Sequence, residues 1–236
     1  MSIDFTSQRL SYEQGELIES HLPEQPFSLL QTWVQQAIDS KQGEAYAFSL
    51  ATCGRDGQPS VRTLLMREII QLDNTGIGLV FYTNYDSAKG CDLATNPNAE
   101  ALFFWPSLER QIRLTGAVQK VSREQSAQYF HSRPRDSQLA AWVSEPQSSV
   151  VASREVMEDK FAQLTAQYGD NPIPLPEFWG GYLLTVEKIE FWQGRANRMH
   201  DRIVYSLDGD QWVMERLLPS TTSHKKTRYF KPCFFV

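Results

Sequence analysis

From Pro26 to Ser40 the apolar residues Phe27, Leu29, Leu30, Trp33, Val34 and Ile38 recur at helical spacing. That spacing predicts an amphipathic helix packed on a core. The pattern then changes period. Ala45 to Cys53 is apolar and β-compatible, Gly54 to Gly57 has turn chemistry, and Ser60 to Ile70 reads as the return strand of a hairpin. A third strand is expected over Gly78 to Asn84, then a short helix over Asp86 to Ala94 capped by Asp86 or Ser87. Two longer strands, Ala99 to Trp105 and Glu109 to Val121, are separated at Pro106. In the second, Glu109, Gln111 and Arg113 share one face, with Ile112 and Leu114 on the other.

The second half continues the alternation. Ser122 to Phe130 reads as a helix with a capping box made by Ser122 and Gln125. Pro134 stops it, and Asp136 or Ser137 can cap a new helix carrying Leu139, Ala140, Ala141 and Trp142. A longer helix is expected over Val151 to Tyr168, then a stiff connector at Asn171 to Pro176. Phe178 to Phe191 reads as a strand that Trp192–Gln193–Gly194 breaks. Ile203 to Tyr205, Asp208–Gly209 and Trp212 to Leu217 make a closing hairpin. The implied class is mainly β, an antiparallel barrel or sheet with peripheral helices.

Composition narrows the function classes. The 236 residues fit one large domain or two small ones. A net charge of -5 argues against a dedicated nucleic-acid binder, so local basic clusters point to small anionic ligands. Three cysteines, Cys53, Cys91 and Cys233, with no CxxC spacing suit free thiols in a reducing compartment. No secretory signal and no membrane span are read, and the expected location is cytoplasmic. The sequence has no GxGxxG, no GxxxxGK[ST] and no metal-ligand spacing, so a bound nucleotide is not held by a Rossmann or Walker loop.

Three places carry candidate chemistry. Between Tyr129 and Ser149, His131, Arg133 and Arg135 crowd beside Ser132 and Ser137 at a fresh helix N-terminus. Such a cluster suits a phosphate ester, or it is a solvated basic loop with a capping Asp. Lys89 sits in the first turn of a helix, where a cation is unfavourable unless an anion is present; the plainer alternative is a surface lysine bent back to water. Arg198, His200 and Arg202 alternate, so an extended strand would project all three on one side, either as a site or as an exposed polar face. In the polar first 24 residues, Arg9 and Tyr12 are the two to watch, in what reads as a disordered tail.

Several blocks in order are more specific: LERQIRLTG at 108–116, YFHSRPRDSQ at 129–138, AWVS and QSS within 141–149, FWGGY at 178–182, and EFWQG…RMHDR at 190–202. With them the chain, from about Arg9 to Pro219, resembles the pyridoxine/pyridoxamine 5'-phosphate oxidase family. The resemblance implies an FMN-binding split β-barrel of antiparallel Greek-key type, forming a homodimer with FMN at the interface. It implies oxidation of pyridoxamine or pyridoxine 5'-phosphate to pyridoxal 5'-phosphate, with O2 as acceptor. By position, the FMN contacts fall on Arg62, Thr63, Leu64, Leu65, Met66, Arg67, Tyr82, Thr83, Lys89, Gln111, Gln147, Ser148, Trp192 and Arg202. Arg62 and Lys89 would grip the FMN phosphate. The substrate would meet Arg67, Tyr129, Arg133 and Ser137, with Arg198 and His200 flanking its ring as the catalytic pair. His200 would orient or handle a proton, and Arg9 and Tyr12 would close over the site. Residues 1–24 would be that lid, 25–219 the oxidase domain and 220–236 an extra tail.

The chain departs from the family pattern in three ways. Arg67 stands where the family usually has lysine, and Arg62 and Arg67 point to opposite faces of an ideal strand, so both reach one site only if the strand bulges or the ligand wraps its end. Ala88 stands where the family has a basic residue, which implies weaker FMN retention. The tail STTSHKKTRYFKPCFFV is additional. A sister FMN oxidase on the same fold, and a non-catalytic FMN- or pyridoxal-phosphate-binding protein, stay open beside the main reading.

Overall fold

The computed structural model describes residues 11–41, 43–73 and 75–219. Helix α1, Phe27–Asp39, buries Leu30, Trp33 and Val34 from the predicted face together with Ala37, while Ile38, also expected on that face, is exposed. Strands β1, Ala47–Cys53, and β2, Pro59–Leu65, form a hairpin in register from Ala47↔Leu65 to Cys53↔Pro59. The expected strand over Ser60 to Ile70 is in fact two. It stops at Leu65, and β3, Glu68–Leu72, pairs instead with β4, Gly76–Asn84. The change of partner occurs at two residues: the Met66 N–H donates to Tyr46 O and the Arg67 N–H to Val80 O. Met66 is meanwhile buried in the core. Leu64, Leu65 and Met66 are apolar in a row, so no alternation marks the break.

Helix α2, Ala88–Thr95, is capped by Ser87, whose Oγ accepts from the Gly90 N–H at 3.3 Å. Strand β5, Asn98–Trp105, and β6, Arg110–Lys120, are joined by a 3-10 turn at Pro106–Leu108. Glu109 has φ +54 and lies outside β6, so it does not share a strand face with Gln111 and Arg113. Helix α3, Arg123–Ser132, is capped by Ser122 as expected, and α4, Arg135–Val143, follows at once. Neither Asp136 nor Ser137 caps α4. Pro134 takes that place, its ring holding φ at -51 and its carbonyl accepting from the Ser137 and Gln138 N–H groups. Helix α5 is Arg154–Tyr168. Strand β7, Trp179–Gln193, runs through Trp192 and Gln193 and ends only at Gly194. Strands β8, Asp201–Asp208, and β9, Gln211–Arg216, form the closing hairpin.

Among the described residues nine strands form one antiparallel sheet in the order β2-β1-β5-β6-β7-β4-β3, with β8 added to β7 and β9 to β8. Strand β7 is the spine. One edge pairs with β6 along its length, while the other pairs with β4 from Trp179 to Val186 and with β8 from Lys188 to Gln193. A bulge between Thr115 and Gly116 bends this spine. A Cβ at Gly116 would lie 1.9 Å from Thr185 O, so only glycine fits there. The end strands β2 and β3 do not pair with each other, which leaves the barrel split.

The core inside the curled sheet holds Phe48, Phe81, Phe103, Phe191 and Tyr205, each essentially unexposed. Burying each large apolar side chain contributes about 1.5–3 kcal/mol. Helix α1 closes this core by setting Trp33 edge-on to Phe191 at 5.2 Å. A second, smaller cluster of Phe130, Leu139, Ala141, Ile173 and Trp179 lies under α3 and α4. Arg123 ties it to the spine by donating to the carbonyls of Leu175, Pro176 and Trp179. Among the described residues no helix is long and apolar enough to cross a membrane.

Candidate functional site

The break after β2 and the start of α4 face one another across the first residues of β7. A cleft of about 270 Å³ there is lined by Thr63, Leu64, Leu65, Arg67, Tyr82, Tyr129, Arg133 and Trp179. Tyr82 stacks on Tyr129 at 3.9 Å, and Trp179 lies nearly parallel to both. The Arg133 guanidinium sits 4.8 Å from the Trp179 ring centroid, and that of Arg67 lies 5.7 Å from the Tyr129 ring. Burial lowers the pKa of Arg133, Tyr129 opposes the shift, and the nearby charge of Arg67 adds to it. Its Nη1 is buried and has no hydrogen-bond partner.

An adjoining chamber of about 240 Å³ shares Tyr82, Arg133 and Trp179 and adds Thr83, Asn84 and Gln147. Asn84 Nδ2 and Gln147 Oε1 are likewise buried and unpartnered. Unpaired buried polar groups are costly, so three at one cleft mark a place built for a polar ligand. Beside the chamber, Lys89 Nζ donates to Thr83 Oγ1 at 3.2 Å and to Ser87 Oγ at 3.0 Å. Burial, then the charge of Arg62, pulls the Lys89 pKa down. Arg62 is held by Leu50 O, Thr52 Oγ1 and Ser60 Oγ, with Asp92 3.9 Å away. Two neighbouring cations at the N-terminal end of α2 suit an anion. Ser148 reaches the same helix end, its Oγ accepting from the Ala88 N–H at 3.4 Å. Ser137 is half-buried in the first turn of α4.

The remaining candidates gather elsewhere. Gln111, Trp192 and Arg202 stand side by side across β6, β7 and β8, as the pairings Gln111↔Trp192 and Trp192↔Arg202 require. Arg202 donates to Glu190 Oε1 at 2.7 Å, and Glu190, 4% exposed, also pairs with Arg113 at 3.3 Å. His200 lies against Trp192 at 4.7 Å, and Tyr12 meets both rings edge-on. Arg198, His200 and Arg202 do not share a strand face. Asn197 and Arg198 are both left-handed, at φ 56 and φ 60, so the chain turns tightly there and β8 begins only at Asp201. Arg9 lies outside the described residues.

So the structure divides the expected site into two groups. Tyr82 pairs with Gly181, near the start of β7, whereas Trp192 is eleven residues further along. That is about 36 Å of strand path at ~3.3 Å per residue. Met66, expected at the cofactor, turns its side chain into the core. Sequence reasoning missed three supports: Trp179 under Arg133, Asn84 in the second chamber, and Glu190 behind Arg202. Trp179 lies inside the FWGGY block, which was the available signal. Glu190 opens the EFWQG block and had the same signal, whereas Asn84 lies in none of the blocks.

Residues 34–168 match the pyridoxamine 5'-phosphate oxidase family, and residues 179–219 match the pyridoxine 5'-phosphate oxidase C-terminal dimerisation region. The chain belongs to the pyridoxamine 5'-phosphate oxidase family. It is 58% identical to a pyridoxine/pyridoxamine 5'-phosphate oxidase of Psychrobacter cryohalolentis, over 93% of this chain and 100% of the relative. It is 50% identical to that of Acinetobacter baylyi, over 92% of this chain and 97% of the relative. A crystal structure of PhzG from Burkholderia lata 383, in complex with tetrahydrophenazine-1-carboxylic acid, superposes with a TM-score of 0.79 at 27% identity, covering 86% of this chain and 98% of PhzG. A pyridoxamine 5'-phosphate oxidase-related, FMN-binding protein of Nostoc punctiforme shares the fold, with a TM-score of 0.65 at 20% identity over 84% of this chain and 99% of that one. The expected fold class is therefore borne out: an antiparallel split-barrel sheet with helices outside, not closed.

Proposed function

We propose that this chain is an FMN-dependent oxidase that converts pyridoxamine or pyridoxine 5'-phosphate to pyridoxal 5'-phosphate, with O2 as acceptor and H2O2 as product. The names of the relatives at 48–58% identity support this reading. The observation that carries it is Arg133. Its guanidinium is packed on Trp179, lies near Arg67, and turns a buried, unpartnered N–H group into an aromatic cleft. That is the chemistry of a site for a phosphate on a flat ring.

The residues present also fit FMN. Arg62 and Lys89, at the N-terminal end of α2, would hold its phosphate, with Thr83 and Ser148 beside them. Thr63, Leu64, Leu65, Arg67, Tyr82 and Gln147 would line one side of it, and Gln111, Trp192 and Arg202 the other. Bound FMN supplies the two-electron acceptor of the oxidation. The protein's own part is to position and to exclude water. Arg133, Arg67, Tyr129 and Ser137 fix the substrate phosphate. Arg198 and His200 flank the pyridine ring, and Tyr12, packed on His200, covers it.

The two residue groups at opposite ends of β7 meet in a homodimer, where one protomer supplies the phosphate clamps and its partner the Trp192–His200 group. The match of residues 179–219 to a dimerisation region supports that assembly. The cytoplasm is the compartment we propose, in keeping with the free thiols of Cys53 and Cys91. The test is a peroxide assay on protein loaded with FMN and given pyridoxamine 5'-phosphate. Peroxide formed together with pyridoxal 5'-phosphate is the expected result. Flavin bound without peroxide would overturn the oxidase reading.

A further inference from the structure

The loop from Gly194 to His200 folds back on itself, and within it the Met199 N–H donates to Ala196 O at 3.1 Å. The Arg195 backbone N–H donates to His200 Nδ1 at 3.1 Å. This is a sharp closure, because Asn197 and Arg198 both take left-handed conformations within it. Such residues cost of order 1 kcal/mol each and persist only where the surroundings hold them. Here the surroundings do. Arg195 Nη1 donates to Gly15 O at 3.0 Å and to Glu16 Oε2 at 3.1 Å, and its Nε lies 3.7 Å from Asp201. Asp201 also accepts from the Leu17 N–H at 3.1 Å and pairs with Arg216 at 2.6 Å. The segment so pinned carries Tyr12, whose ring lies 5.6 Å from that of His200.

A backbone amide is only ever a donor, so Nδ1 must be the acceptor. A neutral imidazole with an acceptor at Nδ1 carries its proton on Nε2. An imidazolium would set two donors against each other. We propose that the Arg195 amide locks His200 as the neutral Nε2–H tautomer, so that His200 serves the reaction as a hydrogen-bond donor and not as a base, with Arg195 as its positioning residue. This rests on the placing of His200 beside the substrate ring. Its substrate partner is then an acceptor, an electron-rich oxygen or ring nitrogen.

The groups facing the imidazole fit this role. Arg198 is cationic, Arg195 presents its amide, Tyr12 and Trp192 present ring surfaces, and Asp201 is engaged by Arg195, Arg216 and the Leu17 amide. Burial and then Arg198 push the His200 pKa down, against Asp201. Protonation is thus disfavoured by geometry and by charge alike.

Nitrogen-15 NMR of the FMN-loaded enzyme tests the proposal directly, with the His200 ring signals assigned by their loss in His200→Gln. The expected result is a proton-bearing Nε2 and a bare Nδ1, persisting below the ordinary imidazole value of about 6.5. A proton on Nδ1, or a ring protonated near that value, would overturn it. Kinetics gives the second arm. His200→Ala loses the donor and should lower kcat/KM about tenfold, the worth of one hydrogen bond. His200→Gln keeps an N–H donor and should lose less. Equal losses in both variants, with disappearance of an acidic limb from the pH profile, would make His200 a base and sink the proposal. If the enzyme made no pyridoxal 5'-phosphate at all, the functional reading would fail while the tautomer could still be read.

Discussion

The two ends of β7 are built on opposite principles. At the Trp179 end, polar groups are left open: Arg133 Nη1, Asn84 Nδ2 and Gln147 Oε1 are buried with no partner, and the cations Arg62 and Lys89 lie side by side. At the Gln193 end, the polar groups are closed on one another. Glu190 takes Arg113 and Arg202, Asp201 takes Arg195 and Arg216, and His200 accepts from a backbone amide. Open valences in a buried cleft await a ligand and give affinity. Saturated networks around a strained loop give position. A reaction on a phosphorylated ring needs both, and one chain holds them about 36 Å apart along a strand.

The difference predicts how substitutions divide. The largest effect is expected at the open end. Arg133→Ala should raise KM for pyridoxamine 5'-phosphate about tenfold to a hundredfold, the cost of a charge-assisted hydrogen bond, and leave FMN bound. Steady-state kinetics with a flavin titration checks this, and a loss of flavin instead would move Arg133 to the cofactor. At the closed end, Arg198→Ala or His200→Ala should retain FMN and slow turnover by about tenfold. Flavin released from either variant would remove both from the substrate side.

A smaller effect is expected from adding a cation at the N-terminal end of α2. Ala88 is exposed at the N-terminal end of α2, and its N–H already donates to Ser148. Ala88→Arg should tighten FMN binding by about tenfold. An unchanged dissociation constant would mean that Arg62 and Lys89 suffice.

The smallest effect concerns pH and stability. The folded protein holds the His200 pKa below its ordinary value, so the folded state binds that proton less readily than the unfolded chain. Its contribution to stability is therefore present above about pH 6.5 and is lost as pH falls below that value. Melting temperatures across that range should slope less in His200→Gln than in the parent. Parallel curves would show that His200 takes no part in the slope.

Among the described residues, most strands and the five α-helices were legible in the sequence, because period and caps are local properties. Ser87 and Ser122 cap where their spacing placed them. The failures came where tertiary partners decide. The Leu65–Glu68 break is set by Tyr46 and Val80, and the Asn197–Arg198 turn by a segment some 180 residues away in sequence, at Gly15. Alternation of Arg198, His200 and Arg202 suggested a strand face, but two left-handed residues override it. The basic cluster at Tyr129 to Ser137 was readable as candidate chemistry, and Tyr129 and Arg133 do line a cleft. Its supporting ring, Trp179, was not assigned, because nothing local ties residue 179 to residue 133.

Mixing two defective homodimers tests most directly whether the ends of β7 join across two chains. Arg133→Ala and His200→Ala protein, each lowered about tenfold or more in kcat/KM, would be unfolded together, refolded with FMN and assayed for pyridoxal 5'-phosphate at substrate well below KM. If each site takes its clamp from one protomer and its His200 group from the partner, every mixed dimer has one intact site. Activity should then rise well above that of either parent, towards about a quarter of the unsubstituted enzyme for random pairing. Activity no greater than the average of the two parents, with mixed dimers shown to be present, would place both groups in a single chain and contradict the shared site.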